Sequence, residues 1–310
     1  MARVFDGHCD TISHCYRGAN LLRNEGHLDL ERTGRYTGWA QFFAIFASKK
    51  WEKDPLWQVT QRQYEVFRRE LKANVGLVVQ CRTADEVERA WAEGKTAALL
   101  SIEGAELLDC NLEKLEEVHR WGVRAINLTW NHTNQLSGTN VEDPEKGLTN
   151  QGRAFVVRMQ ELGMLVDVSH LSDSGFWDVI DLANQPIFAS HSNSRDICPH
   201  PRNLTDEQFM ALVKNGGVAG LNMCDEFVGQ APTINTLIEH IEHWLSLGGE
   251  ENVSLGGDWD GISAMPEGIA GIQDLEKLAE ELLRLNYSEA QVDRLFYQNL
   301  MRVVREVCTM

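Results

Sequence analysis

Six side chains suited to binding metal or moving protons recur at one place in the sequence pattern, just after a short apolar run. His8 and Asp10 follow Val4 to Gly7, Glu103 follows Ala97 to Ile102, and His170 follows Met164 to Val168. His191 follows Ile187 to Ser190, and Asp258 follows Val253 to Gly256. Imidazole with carboxylate is a ligand set that suits zinc. His8 and Asp10 are two residues apart on an extended stretch, so both point to the same side. Each feature alone has a plainer reading, a capping aspartate or a packed histidine with a satisfied hydrogen bond. Their shared placement at strand ends favours a metal centre made of His8, Asp10, Glu103, His170 and His191.

Glu103 ends an otherwise apolar strand, where an unpaired carboxylate costs several kcal/mol or takes up a proton. Such a group calls for a cation or a metal. Five ligands are too many for one tetrahedral zinc with an open position. Two ions joined by a bridging carboxylate fit better, with a bridging hydroxide as nucleophile because metal lowers the pKa of water from ~15.7 toward ~7. Asp258 is then the general base and acid, with Asp260 as the fallback. The residue pair His240 and His243, with Glu239 and Glu242, reads instead as the solvated face of an amphipathic helix.

These side chains need a scaffold that gathers strand ends. Eight apolar, β-branched runs alternate with helical patterns along the chain: 4–7, 40–46, 97–102, 125–129, 164–168, 187–190, 217–222 and 253–256. That rhythm is the signature of repeated βα units and a parallel sheet. A ninth run, 76–80, reads as an accessory strand or loop. Thr83 to Glu86, Thr205 to Gln208 and Ser288 to Gln291 carry helix N-terminal capping signals, and Gly122, Gly163 and Gly216 stand where helices end. The expected fold is α/β, a (β/α)8 TIM-like barrel forming a single catalytic domain over residues 1–310, with an open doubly wound sheet as runner-up. In a barrel the C-terminal strand ends line the active site. The Gly-rich stretch 255–261 lacks the G-x-G-x-x-G spacing of a dinucleotide site.

With 310 residues, 43% of them hydrophobic and 24% charged, the chain has the composition of a globular protein that can bury a full core. A net charge of −17 disfavours nucleic acid and anionic lipid as partners. Arg3 and Asp6 interrupt the apolar stretch a signal peptide needs, and the run Phe42 to Ala47 is too short to span a bilayer. The 7 cysteines are scattered without a Cys-x-x-Cys pair, which suits free thiols in a reducing cytoplasm, with Cys9 and Cys15 the two nearest the first motif. A cytoplasmic location is expected.

The motifs Gly7-His8-Cys9-Asp10, Ser101-Ile102-Glu103-Gly104, Asp167-Val168-Ser169-His170, Ser190-His191-Ser192, Pro201-Arg202-Asn203 and Gly256 to Gly261 together resemble those of the renal or membrane dipeptidase family. The resemblance runs from residue 4 to about 305. It implies an amidohydrolase-like, distorted barrel that hydrolyses dipeptides with two Zn2+ per chain and tolerates a D-residue at the C-terminal side. It further implies that His8 and Asp10 bind one zinc, His170 and His191 the other, that Glu103 bridges them, and that Asp258 carries the proton. Arg202 matches the arginine that holds the substrate's C-terminal carboxylate, a task to which a guanidinium fork is suited.

The chain departs from the family at Leu128-Thr129-Trp130-Asn131-His132, where relatives often carry Leu-Thr-His with a substrate-contacting histidine. That role passes to His132 or is absent, with Asn131 and Asn134 as substitutes. The loop Asn222-Met223-Cys224 lacks the aromatic character of some relatives. The expected partner is a small dipeptide, and a homodimer is the assembly considered. Two other readings are weighed: a related metal hydrolase acting on a non-peptide amide, ester or amine, and a catalytically silent metal-binding relative. The first has no need of Arg202 and the second none of Asp258.

Overall fold

The computed structural model describes residues 3–309. Its strands are β1 (Arg3–Cys9), β2 (Gly38–Phe46), β3 (Val78–Gln80), β4 (Thr96–Glu103), β5 (Val123–Asn127), β6 (Leu165–Asp167), β7 (Phe188–Ala189), β8 (Val218–Leu221) and β9 (Val253–Leu255). Eight of them close a parallel barrel in the circuit β1, β2, β4, β5, β6, β7, β8, β9 and back to β1. All eight expected runs are barrel strands. Residues 78–80 of the ninth run form β3, which pairs with the start of β4 from Val78↔Thr96 to Gln80↔Ala98. From Leu100 onward β5 takes over that edge, so β3 is an accessory to the circuit.

The helices begin where their capping residues stand. Thr83 Oγ1 accepts from Glu86 N, and Thr205 and Ser288 form reciprocal capping boxes with Gln208 and Gln291. Gly122 (φ 98°) and Gly216 (φ 81°) end the helices Leu112–Trp121 and Asp206–Asn215 in the left-handed region, which a side chain would penalise. Among the described residues, no helix is long and apolar enough to cross a membrane.

Alternation along each strand divides the core in two. On β4, Ala98, Leu100 and Ile102 pack outward against the helices, while Ala97 and Leu99 join Phe5, Phe42, Phe188 and Val218 in the lumen. Phe42 contacts Phe5 and Phe188 with ring centroids 5.8 and 5.6 Å apart. Burying each such ring contributes roughly 1.5–3 kcal/mol. The helix Asn299–Val307 closes the N-terminal end with Leu300, Val303, Val304 and Val307.

Above these rings the lumen is filled by main chain. A Cβ on Gly7, Gly220 or Gly256 would lie 2.8, 2.1 or 1.8 Å from the carbonyl oxygen of Ser190. Three strands therefore leave out a side chain where the end of β7 turns inward. That inward turn limits β7 to two paired residues and brings the next residue, His191, over the lumen.

Candidate metal centre and substrate pocket

Strand parity delivers Glu103 to the site. It is an odd-numbered residue of β4, like Ala97 and Leu99 of the lumen, and it is 3% exposed. In β1 the register slips between Asp6 and Cys9. Cys9 consequently packs in the outer core while His8 turns toward the centre, as bulges commonly re-aim side chains near sites. Asp6 secures that turn from below. Its carboxylate accepts from His8 N (3.0 Å), Gln41 Nε2 (2.8 Å), Gly257 N (2.9 Å) and Trp259 Nε1 (3.0 Å), tying β1 to the loop after β9.

The five expected ligands converge. His8 Nε2 lies 3.5 Å from Asp10 Oδ2 and 3.7 Å from Glu103 Oε2. The other Glu103 oxygen, Oε1, lies 2.9 Å from His170 Nε2 and 3.4 Å from His191 Nε2. Glu103 therefore presents one oxygen to each half of the cluster. Candidate ligand atoms of His8, Glu103 and His191 fall within 4.8 Å of one another, as do those of His8, Asp10 and Asp258.

The protonation pattern fits a cation between these atoms. Asn131 Oδ1 accepts from His170 Nδ1 at 2.8 Å. Ser190 Oγ stands 2.6 Å from His191 Nδ1, and Ser190 N donates to Asp167 Oδ1 at 3.1 Å. The two Nε2 atoms lie 3.0 Å apart, beside Glu103. Burial, reinforced by Arg202 and His8, holds both histidines well below their ordinary pKa, so both rings stay neutral. His8 Nε2 and Asp10 Oδ1 are buried without a hydrogen-bond partner. Burial opposes a charge on His8, yet Glu103, Asp10 and Asp258 outweigh it and push its pKa up to about 10. A site that draws positive charge this strongly, from imidazole and carboxylate donors, has the chemistry of a metal site.

Asp258 adopts the left-handed region (φ 58°), as does His170 (φ 69°). Side chains pay for that conformation, and such strain collects at functional sites. Asn222 Nδ2 donates to Asp258 Oδ2 at 3.1 Å. Gly261 lets the carboxylates of Asp258 and Asp10 approach, since its Cβ would meet an oxygen of each at 2.4 Å. Burial, with Asp10 adding to it, raises the Asp258 pKa. Asp260, the fallback base, is committed elsewhere: its Oδ2 accepts from Thr11 Oγ1 (2.6 Å) and its Oδ1 from His27 N (2.5 Å).

A cavity of about 310 Å3 opens above the cluster, lined by Asp10, Glu103, His170, Asp258 and Arg202 among others. Arg202 is 4% exposed. Its guanidinium reaches only Ser192 Oγ (3.5 Å) and the His191 carbonyl (3.4 Å), its Nε has no partner, and it forms no ion pair among the described residues. This is a buried cation with no direct ion pair, on which Asp258, Glu103 and Asp167 act only from a distance, rather than half of a surface salt bridge.

The loop after β5 is arranged differently from any simple substitution. Trp130, at the position of the family histidine, lines the cavity, and Asn131 orients His170. His132 is more than half exposed, pairs with Glu142 (2.7 Å), and lines a neighbouring cavity with Asn134. Phe227, beyond Asn222-Met223-Cys224, supplies an aromatic wall and lies under the Arg202 guanidinium at 5.3 Å. Phe46 and Trp51 line the cavity as well. Phe46 is the last residue of a run read as a strand, whereas Trp51 and Phe227 do not stand out in sequence, because they lie outside the periodic runs. His240 corrects the reading of a solvated face: it is fully buried, accepting from Ser194 N (3.1 Å) and meeting the Val228 carbonyl (2.9 Å). His243 pairs with Asp206 at 2.8 Å.

Known proteins share this arrangement of chain. A metallo peptidase from Rhodobacter sphaeroides, crystallised with a phosphinate mimic of the dipeptide L-Ala-D-Ala, superposes with a TM-score of 0.91 at 27% identity, covering 99% of each chain. A structure described as dipeptidase AC, a metallo peptidase of family M19, gives 0.91 at 28% identity over 100% of this chain and 99% of its own. An uncharacterised protein from the pqqA 5' region of Klebsiella pneumoniae is 33% identical over 266 residues, 82% of this chain and 96% of that protein. The sequence model of the membrane dipeptidase family, peptidase family M19, matches residues 1–310, and the chain belongs to that family.

Proposed function

We propose that the protein is a zinc dipeptidase that holds two Zn2+ and hydrolyses dipeptides with a free C-terminal carboxylate, D-residues at that position included. The observation that carries this reading is Arg202, a buried and unpaired guanidinium in the same cavity as the ligand cluster. A carboxylate delivered by the substrate supplies its missing partner through two parallel hydrogen bonds. An amide or ester without that group leaves the charge buried and uncompensated, which is costly. A dipeptide mimic bound to the Rhodobacter sphaeroides relative supports the same substrate class.

His8 and Asp10 would hold one ion and His170 and His191 the other, with Glu103 between the two halves of the cluster. When bound, such a pair of ions polarises the scissile carbonyl and lowers the pKa of water from ~15.7 toward ~7. Asp258 takes a proton from the attacking water and returns it to the leaving amine, a task for which its raised pKa suits it. Asn131 fixes the tautomer of His170, and Ser190 holds the ring of His191 through Nδ1. Seven free cysteines, six of them buried, support residence in a reducing compartment, the cytoplasm.

Metal analysis combined with a screen of L-L and L-D dipeptides tests the proposal. Two zinc ions per chain and cleavage of dipeptides, but not of their C-terminal amides, is the expected result. One ion or none, or equal cleavage of the amides, overturns it.

A further inference from the structure

We infer that the cavity selects dipeptides whose N-terminal residue bears a large apolar or aromatic side chain, seated on a wall made by Phe46, Trp51 and Trp130. The inference rests on the dipeptidase reading above, specifically on Arg202 holding the C-terminal end.

The three rings are in mutual contact. Phe46 and Trp130 lie 4.9 Å apart by ring centroids, Trp51 and Trp130 5.7 Å, and Phe46 and Trp51 5.9 Å. Phe46 is buried behind them, whereas Trp51 remains 51% exposed at the cavity's edge. An indole left in water beside a polar, metal-binding floor is apolar area that a ligand can cover.

Position around the barrel decides which end of the substrate meets this wall. Phe46 ends β2 and Trp51 follows it; Arg202 lies in the loop after β7. In the eight-membered circuit β2 and β7 are four strands apart, so they stand opposite each other across the lumen. A dipeptide with its carboxylate on Arg202 and its peptide bond over Glu103 therefore projects its first residue toward β2. The wall favours an apolar guest over a cationic one. Lys49 and Lys50 precede Trp51 and are exposed, so a cationic side chain meets like charge there.

The test compares kcat/KM of the zinc-loaded enzyme on L-Xaa-D-Ala dipeptides with Phe, Leu, Ala, Lys or Asp as the first residue. The Phe and Leu substrates should exceed Ala by about tenfold or more, the range a filled apolar pocket provides, and Lys and Asp should not exceed Ala. Trp51→Ala should bring the Phe-to-Ala ratio within about threefold, chiefly through KM, and Trp51→Phe should restore part of it, which a merely structural role for Trp51 does not produce. A flat profile, a preference for Lys, or a ratio untouched by Trp51→Ala overturns this inference and leaves the dipeptidase reading standing. Failure to cleave any member of the series overturns the dipeptidase reading, and this inference falls with it.

Discussion

His170 and His191 face each other Nε2 to Nε2 at 3.0 Å, each with its Nδ1 already engaged, by Asn131 and by Ser190. With Glu103 and His8 beside them, these buried imidazoles form a cluster of donor atoms that a cation would complete. Metal removal should therefore cost stability as well as activity. Zinc at one hundred times its Kd should stabilise the protein by ~2.7 kcal/mol, and raise the melting temperature by roughly 4 °C. Calorimetry with and without a chelator measures this; a melting temperature indifferent to zinc would count against the centre.

Arg202 is buried without a directly paired anion, so its removal has different effects on stability and turnover. Arg202→Met should lower kcat/KM for dipeptides by about 10²–10³-fold, in line with loss of a buried charged contact. It should not lower the melting temperature, because burial costs the charge more than the distant carboxylates return, and an apolar chain of similar length replaces it. Arg202→Lys keeps charge but loses the planar fork and should recover only part of the rate. Strong destabilisation of the Met variant would show that Arg202 is a structural tie.

Asp258 sits close enough to His8 and Asp10 to be either proton carrier or ligand, with 4.0 Å between its Oδ1 and His8 Nε2. Asp258→Asn preserves shape and separates the roles. Turnover should fall by about 10²–10⁴-fold while both zinc ions are retained. Loss of an ion, measured by metal analysis of the purified variant, would reassign Asp258 to the ligand set.

Burial holds the His240 pKa down to about 4, with the Val228 carbonyl pulling against it and His243 adding to it. The unfolded chain binds this proton more readily, near pH 6.5. The neutral ring's contribution is therefore complete above that pH and is lost as pH falls from about 6.5 to about 4, on the order of 3 kcal/mol in all. His240→Gln should be less stable than the natural protein at pH 7, and the gap should narrow by that amount at pH 4. Urea denaturation of both proteins at the two pH values reads the difference; a constant gap would refute the assignment.

The barrel was legible because parallel strands buried on both faces read as continuous apolar runs, bounded by Thr, Ser and Gly signals at helix ends. Glu103, His170 and His191 were legible as candidates because the residue after such a run lies at the active face. Other features depend on contacts between distant segments. The register slip that turns His8 inward needs β2 beside it, and the burial of His240 needs the segment around Ser194. Trp51 reaches the cavity from a loop and Phe227 from a one-turn helix, both too short for a periodic pattern, and Asn131 orients His170, 39 positions away.

The glycines at 7, 220 and 256 make room for a carbonyl where other barrels stack side chains. His191 is thus located by main chain rather than by a rotamer, and its position cannot be adjusted by repacking the neighbours one at a time. A methyl group on any of the three strands pushes on the same oxygen. Variation in this protein is then confined to the rim, where loops such as those bearing Trp51 and Trp130 can change what is bound while the reacting floor stays where the backbone puts it.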